Sequence, residues 1–344
     1  MQLTLLPSDY IVWTIVSIGI VAACWIRTQP HYRDPWKKAF QRKTSLAAFI
    51  MLSIFVLIGL LDSIHFTAQY QQKSVLDLLI GHLNASPEVT YTKPFETQHF
   101  HAFGTNKIGQ DLLYETLKSV RTGLLIGTLT TIFILPFALF FGTIAGYFGG
   151  IVDDIIQYVY TTLSSIPGVL LITAMVLVMQ VFITNHPTLF PTMADRADAR
   201  LLILCFILGI TSWSSLCRLL RAETLKLREQ DYVTASIAMG ARKLSIILKH
   251  ILPNVMHIVI ITTVLDFSGL VLAEAILSYV GVGVDPTMAS WGNMINTSRL
   301  ELAREPVVWW PLLAALIPMF LLVLSANVFA DHVRDAFDPR VSGS

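Results

Sequence analysis

The apolar residues of this chain come in blocks of roughly 17 to 25, the length a helix needs to cross a hydrocarbon core at about 1.5 Å per residue. Such blocks, in 344 residues that are 54% hydrophobic and only 14% charged, argue against a water-soluble globule and predict an all-α polytopic membrane protein. Seven spans are expected, at about 10–26, 44–61, 122–146, 156–183, 201–220, 256–279 and 311–330. A net charge of +1 offers no basic field for collecting phosphates, so no nucleic-acid partner is expected. Cys24, Cys205 and Cys217 lie inside apolar blocks without metal-type partners at short spacing, and neither a metal site nor a cofactor is expected. No basic residue precedes the first block, which therefore reads as a retained helix rather than a signal peptide.

Orientation follows from the basic residues of short loops, which stay on the cytoplasmic side. Arg27, Arg33, Lys37, Lys38, Arg42 and Lys43, against the single acid Asp34, put the loop between the first two spans inside. Counting onward puts 62–121 outside, 147–155 inside, 184–200 outside, 221–255 inside, 281–310 outside and the tail inside. The 221–255 loop checks the count, because Arg221, Lys226, Arg228, Arg242, Lys243 and Lys249 outnumber Glu223, Glu229 and Asp231. The chain divides into an N-terminal helix with a basic linker (1–43), a second spanning helix (44–61), an extracytoplasmic segment (62–121), a core with its cytoplasmic loop (122–330) and a tail (331–344). The 62–121 segment is too long for a hairpin and too polar to face lipid, so it should form a small external structure. Pro136 and Pro167 fall inside the third and fourth spans and favour kinks there, either as hinges or as bends fixed by packing.

Within the loop, Asp231 is placed to cap a short helix. From Tyr232 the residues Val233, Ala235, Ser236, Met239 and Gly240 recur at helical spacing, and Gly240 ends or bends that helix. A second short helix is expected over Lys243 to Ile251, closed by Leu252 and Pro253. Two such helices suit docking in a partner's groove, although on periodicity alone an interfacial pair at the headgroups is the commoner explanation.

The order Thr234-Ala235-Ser236, Gly240-Ala241, His250, Leu252-Pro253 resembles the EAA loop of ABC importer permeases, with Thr234 for the glutamate, Ser236 for an alanine and His250 for an isoleucine. Tyr232-Val233 and His250 to Asn254 are similar to one branch, the dipeptide/oligopeptide/nickel permeases of the DppC/OppC type. Further blocks follow in order: Gly104 to Asp111, then Arg121 and Gly127, Gly146 to Gly150 with Asp153, Ile166-Pro167, and Trp213 with Arg218 and Arg221. Glu274 to Gly283, Pro286, Ser290 to Met294 and Arg334 to Pro339 complete them. The resemblance spans about residues 100–340. It implies a type I importer permease fold and alternating access. It also implies partners: a second homologous permease, two ATPase subunits and an external solute-binding protein. On this resemblance Tyr232, Val233, Thr234, Ala235, Ser236, Gly240, Ala241, Leu252 and Pro253 form the ATPase-coupling region. Peptide is the implied substrate, with nickel or another small solute as the alternative. Asn106 and Gln110 replace an acid and a base of the family pattern, exchanging an ion pair for an amide hydrogen bond, and Tyr158 and Thr161 replace another charge pair. The first span and residues 62–98 have no clear family counterpart.

No phosphate-cradling Gly-rich loop is present, so ATP chemistry is assigned to other chains and the protein is not expected to be an enzyme. Asp266 and Glu274, acids inside an apolar span, are about two turns apart on one face, and either line the pathway or bond a neighbouring permease. Pro167 and Trp291 are further pathway candidates. Trp291 and the Trp309-Trp310 pair also read as interfacial aromatics in contact with membrane lipid. His99 and His101 sit at strand spacing for a metal, although two ligands make no site and surface histidines are the commoner explanation. An ion-coupled secondary transporter would show two similar halves, which are not seen, and a membrane enzyme would need a nucleophile or metal constellation that is missing.

Overall fold

The computed structural model describes residues 2–3, 6–28, 30–68, 71–81, 90–95 and 101–337. On the N-terminal side, α1 (Pro7–Thr28), α2 (Pro30–Gln41) and α3 (Lys43–Asp62) lead to a small antiparallel sheet, β1 (Gln2–Leu3), β2 (His65–Ala68) and β3 (Gln71–Ser74) in that order, and to α4 (Val75–Ile80). Next come α5 (Leu112–Phe148), α6 (Gly150–Ser165), α7 (Gly168–Asn185), α8 (Met193–Ser212), α9 (Ser214–Arg228) and α10 (Asp231–Ala238). The chain ends through α11 (Lys243–Ile246), α12 (Leu252–Val280), α13 (Trp291–Ser298) and α14 (Trp310–Phe337). Among the described residues, six helical stretches are long and apolar enough to cross a membrane: Lys43–Asp62, Leu112–Phe148, Gly168–Asn185, Met193–Arg228, Lys243–Val280 and Trp310–Ala336. The first expected span coincides with α1, of which Pro7–Val21 is counted as a shorter apolar helix, so the described residues hold six long spans and this one.

The expected single span over 156–183 is two helices. Pro167 has no N–H to donate and disfavours helical backbone in the residue before it, so Ile166 is extended at φ −88°, ψ 130°, and α7 starts afresh beyond it. Pro167 is thus a break, whereas Pro136 stays inside the unbroken α5. The expected stop at Leu252-Pro253 is also corrected. A π-helical turn over Ile247–Ile251 joins α11 to α12, and Pro253 lies in the first turn of α12, where its missing N–H is not needed. Asp231 is not a cap: Gln230 holds the N-cap position, without a side-chain bond, and Asp231 follows in the first turn.

At the centre α5 runs against α9, α8, α12 and α3. It lies close against α9, where a Cβ on Gly142 would lie 2.8 Å from Leu220 Cβ and one on Gly146 would lie 2.7 Å from the Arg221 carbonyl oxygen. Small residues four apart let two helices approach backbone to backbone, which matters in lipid because no hydrophobic drive pushes helices together. Beside this contact Arg221 donates to Asp153 in fork geometry, Nε to Oδ1 at 2.5 Å and Nη2 to Oδ2 at 2.6 Å, fixing α6 to α9. Those hydrogen bonds hold the Asp153 carboxyl below the usual carboxylate range.

The segments that charge counting puts outside meet at one end of the bundle. Arg121 Nη2 donates to Asp9 Oδ1 at 2.6 Å and to Ser8 Oγ at 2.7 Å. His65 Nδ1 lies 2.8 Å from Asp9 Oδ2, and the Ser8 N–H donates to Asp198 Oδ2 at 3.0 Å. All five side chains are buried, so α1 is clasped to α5 and α8. Nearby, burial pushes the Asp77 carboxyl up, but hydrogen bonds from Lys118 and the Ser74 N–H prevail and hold it below its ordinary value.

Replacing Gly146 with leucine should force α9 away from α5 at a cost of about 1–3 kcal/mol. A lower midpoint of thermal unfolding in detergent would register it, and an unchanged midpoint would show that the close approach is not needed.

Candidate functional site

The cytoplasmic hairpin is a helix, a glycine turn and a return helix. Gly240 adopts φ +80°, its N–H donates to the Ile237 carbonyl at 2.9 Å, and the Ala241 N–H donates to the Ser236 carbonyl at 3.1 Å. This paired closure is a Schellman motif, which needs a left-handed residue that glycine adopts without a Cβ penalty. A Cβ at Gly240 would meet nothing within 4 Å, so the turn points into open space.

Within α10, Val233 and Ser236 are buried while Tyr232, Thr234 and Ala235 are exposed. The return helix holds Tyr232 and Ser236. Ser236 Oγ donates to the Tyr232 carbonyl at 2.9 Å and lies 3.5 Å from His250 Nε2. Asn254 Nδ2 donates both to the Tyr232 hydroxyl, at 3.2 Å, and to the His250 carbonyl, at 2.6 Å. His250 and Asn254, known at the sequence level only as matching residues, thus tie α10 to the start of α12. Leu252 is half-buried, while Pro253 and Ala241 are exposed. The tip presents Met239 at 80% and Leu244 at 66% exposure, flanked by Tyr232 and Ile237, an apolar patch on a loop otherwise rich in cations.

The two intramembrane acids part company. Glu274 is 3% exposed, and its Oε1 accepts from Ser278 Oγ at 2.6 Å and Ser290 Oγ at 3.1 Å. The Gly292 backbone N–H adds a further bond. Gly292 sits so close that a Cβ there would lie 2.9 Å from Glu274 Oε1. Glu274 therefore anchors the outer 290–293 segment to α12 from inside the chain. Trp291, 1% exposed, is a core residue whose Nε1 donates to the Thr116 carbonyl at 3.2 Å, rather than an interfacial aromatic. Trp310 is likewise buried, donating to the Thr105 carbonyl, while Trp309 is exposed. Asp266, midway along α12, is half-buried and makes no hydrogen bond or ion pair with any described residue. Unlike Glu274 it is available to something outside the chain.

Pro167 lies at the α6–α7 break, away from these acids in sequence and exposed. His101 Nδ1 is 2.6 Å from Asp111 Oδ2, and Asp111 caps α5 through the N–H groups of Leu113 and Tyr114. That gives His101 a structural partner, while His99, Phe100, Asp338 and Pro339 lie outside the described residues. Asn106 Nδ2 donates to Gln110 Oε1 at 3.1 Å, the amide bond expected in place of an ion pair. Tyr158 and Thr161 are exposed on α6.

Glu274→Leu should destabilise the chain by about 1–3 kcal/mol by stranding the buried donors that it satisfies. Glu274→Gln, which keeps an acceptor oxygen, should cost clearly less. Thermal unfolding of both variants measures this, and equal losses would show that the hydrogen bonds do not hold the outer segment.

Residues 138–343 match the family model described as "Binding-protein-dependent transport system inner membrane component". Over 309 residues the chain is 28% identical to the oligopeptide transport system permease protein OppC of Haemophilus influenzae, covering 90% of this chain and 88% of that protein. It is 28% identical over 312 residues to the dipeptide transport system permease protein DppC of Alkalihalophilus pseudofirmus, covering 90% and 91% respectively. With OppC of Mycobacterium tuberculosis the identity is 31% over 239 residues, 70% of this chain and 76% of that protein. The match extends over more than half of the chain and takes in α6 to α14, with the hairpin and both acids, so this chain belongs to the family of binding-protein-dependent transport system inner membrane components.

Proposed function

We propose that the chain is a permease subunit of an ATP-binding-cassette importer that forms half of a peptide pathway, working by alternating access. The observation that carries this reading is the hairpin, with its exposed apolar tip around Met239 and Leu244 and its hydrogen-bonded link from Tyr232 and Ser236 to His250 and Asn254. A cytoplasmic ATPase docking on Tyr232 to Ala241 pushes on α10, and the link passes the push through Leu252 and Pro253 into α12. A second, homologous permease supplies the other half of the pathway, two ATPase subunits supply the energy, and an external solute-binding protein delivers the solute. Peptide as substrate is supported by the relatives, which are named for oligopeptide and dipeptide transport. Asp266 is the carboxylate placed to meet the solute's ammonium group or a neighbouring permease, and Pro167 marks where α6 and α7 can pivot. Glu274 and Trp291 act as positioning residues for the outer loop.

Gly240→Arg and Gly240→Ala separate docking from backbone strain. Both put a Cβ on a left-handed residue, at about 1–2 kcal/mol, but only arginine projects bulk from the tip. Uptake by the assembled complex should be lost in the arginine variant and largely kept in the alanine variant. Normal uptake with normal subunit association in Gly240→Arg would sink the docking role.

Asp266→Asn removes the unpaired charge without changing side-chain shape. Peptide uptake should fall about tenfold, the equivalent of one charge-assisted contact. Uptake and assembly both at the level of the unaltered complex would remove Asp266 from the pathway and from the interface alike.

A further inference from the structure

Helix α2 is held against the bundle by rings. Phe40 meets Phe49 of α3 edge-on at 4.9 Å between centroids, Phe49 meets Phe329 of α14 at 5.5 Å, and Trp36 lies 6.4 Å from Phe329. Past this cluster, between the end of α2 and the end of α14, lies a cavity of about 260 Å3 lined by Lys38, Ala39, Gln41, Arg42, His332 and Asp335. Its walls are fixed: Thr44 Oγ1 is 2.8 Å from His332 Nε2, and Arg42 Nη1 donates to Asp335 Oδ2 at 3.2 Å.

Among the described residues, the cations around it outnumber the carboxylates. Lys37, Lys38, Arg42, Lys43 and Arg334 are exposed, against the carboxylates of Asp331 and Asp335. Lys37, Lys38 and Lys43 have no partner among the described residues. From the same end of α3 an exposed apolar stripe runs along one helical face, through Leu46, Ile50, Ile54 and Leu57. A basic cavity at the cytoplasmic end of spanning helices, continued by an apolar stripe, has the two chemistries of a phospholipid in the right order: anionic phosphate, then acyl chain.

We propose that this cavity binds the headgroup phosphate of an anionic phospholipid of the inner leaflet, with Lys38 and Arg42 as its principal cations and the α3 stripe carrying an acyl chain. The bound lipid links α2 to α14 and brings negative charge to the described cations. A soluble phosphate would use the same cations but would have no use for the stripe.

The test measures retention of labelled phosphatidylglycerol and phosphatidylcholine by the full-length chain after delipidation in non-ionic detergent. Phosphatidylglycerol should be retained in preference. Lys38→Gln, which breaks no internal contact, should weaken it about fivefold, the worth of one cation near an anionic headgroup, and Lys38→Arg should restore it. Arg42→Gln in addition should abolish the preference. Equal retention of the two lipids, or a preference unchanged in the double variant that still elutes as folded chain, would overturn the proposal. Displacement of the lipid by millimolar inorganic phosphate would assign the cavity to a soluble anion and overturn it equally.

Discussion

In a bilayer apolar surface gains little by leaving lipid for protein, so helices must be held together by close van der Waals contact and by polar bonds. Here α5 and α9 meet through Gly142 and Gly146, with the Leu220 and Thr224 side chains and the Arg221 carbonyl pressed into the space where side chains would stand. The Arg221–Asp153 fork locks α6 to the same place. Everything on the cytoplasmic side is set out from that crossing, because α9 leads directly into the hairpin and α5 supports α12 from the other flank. A permease that loosened there would present its hairpin in no fixed position.

From the hairpin, helical backbone continues over Lys243–Val280, about 57 Å at 1.5 Å per residue. The π turn at Ile247–Ile251 absorbs the register change that admits Pro253 without a break. At the far end Glu274 holds Ser290 and Gly292, so the outer segment rides on the same rod. The hairpin's return helix, Asp266 and the anchor of the outer segment thus lie along one continuous helical stretch.

Much of this could be read from the sequence where a local rule governs it. Apolar block length marked the spans, cation counts fixed which loops share a side, and Gly240 signalled a helix end because only a left-handed residue closes that motif. What could not be read depends on partners distant along the chain. The fate of the two acids of α12 turned on whether a serine sixteen residues away folds back, which no periodicity encodes. The burial of Trp291 likewise required α5 as a neighbour. Pro167 was visible as a perturbation, but a proline kept within a helix, as at Pro136, and a break share the same sequence signal. Ser8 and Asp9 carried no signal at all, since Arg121 lies 112 residues further on.

That last separation bears on how the chain is made. α1 is made before α5 and α8, so Asp9 has His65 beside it early but no Arg121 until residue 121 has followed, and Ser8 has no Asp198 until residue 198 has followed. The clasp on α1 is thus complete only once α8 has been made. Until residue 198 has followed it, α1 is held by part of its clasp alone, and the arrival of α8 brings the last of the four contributing segments.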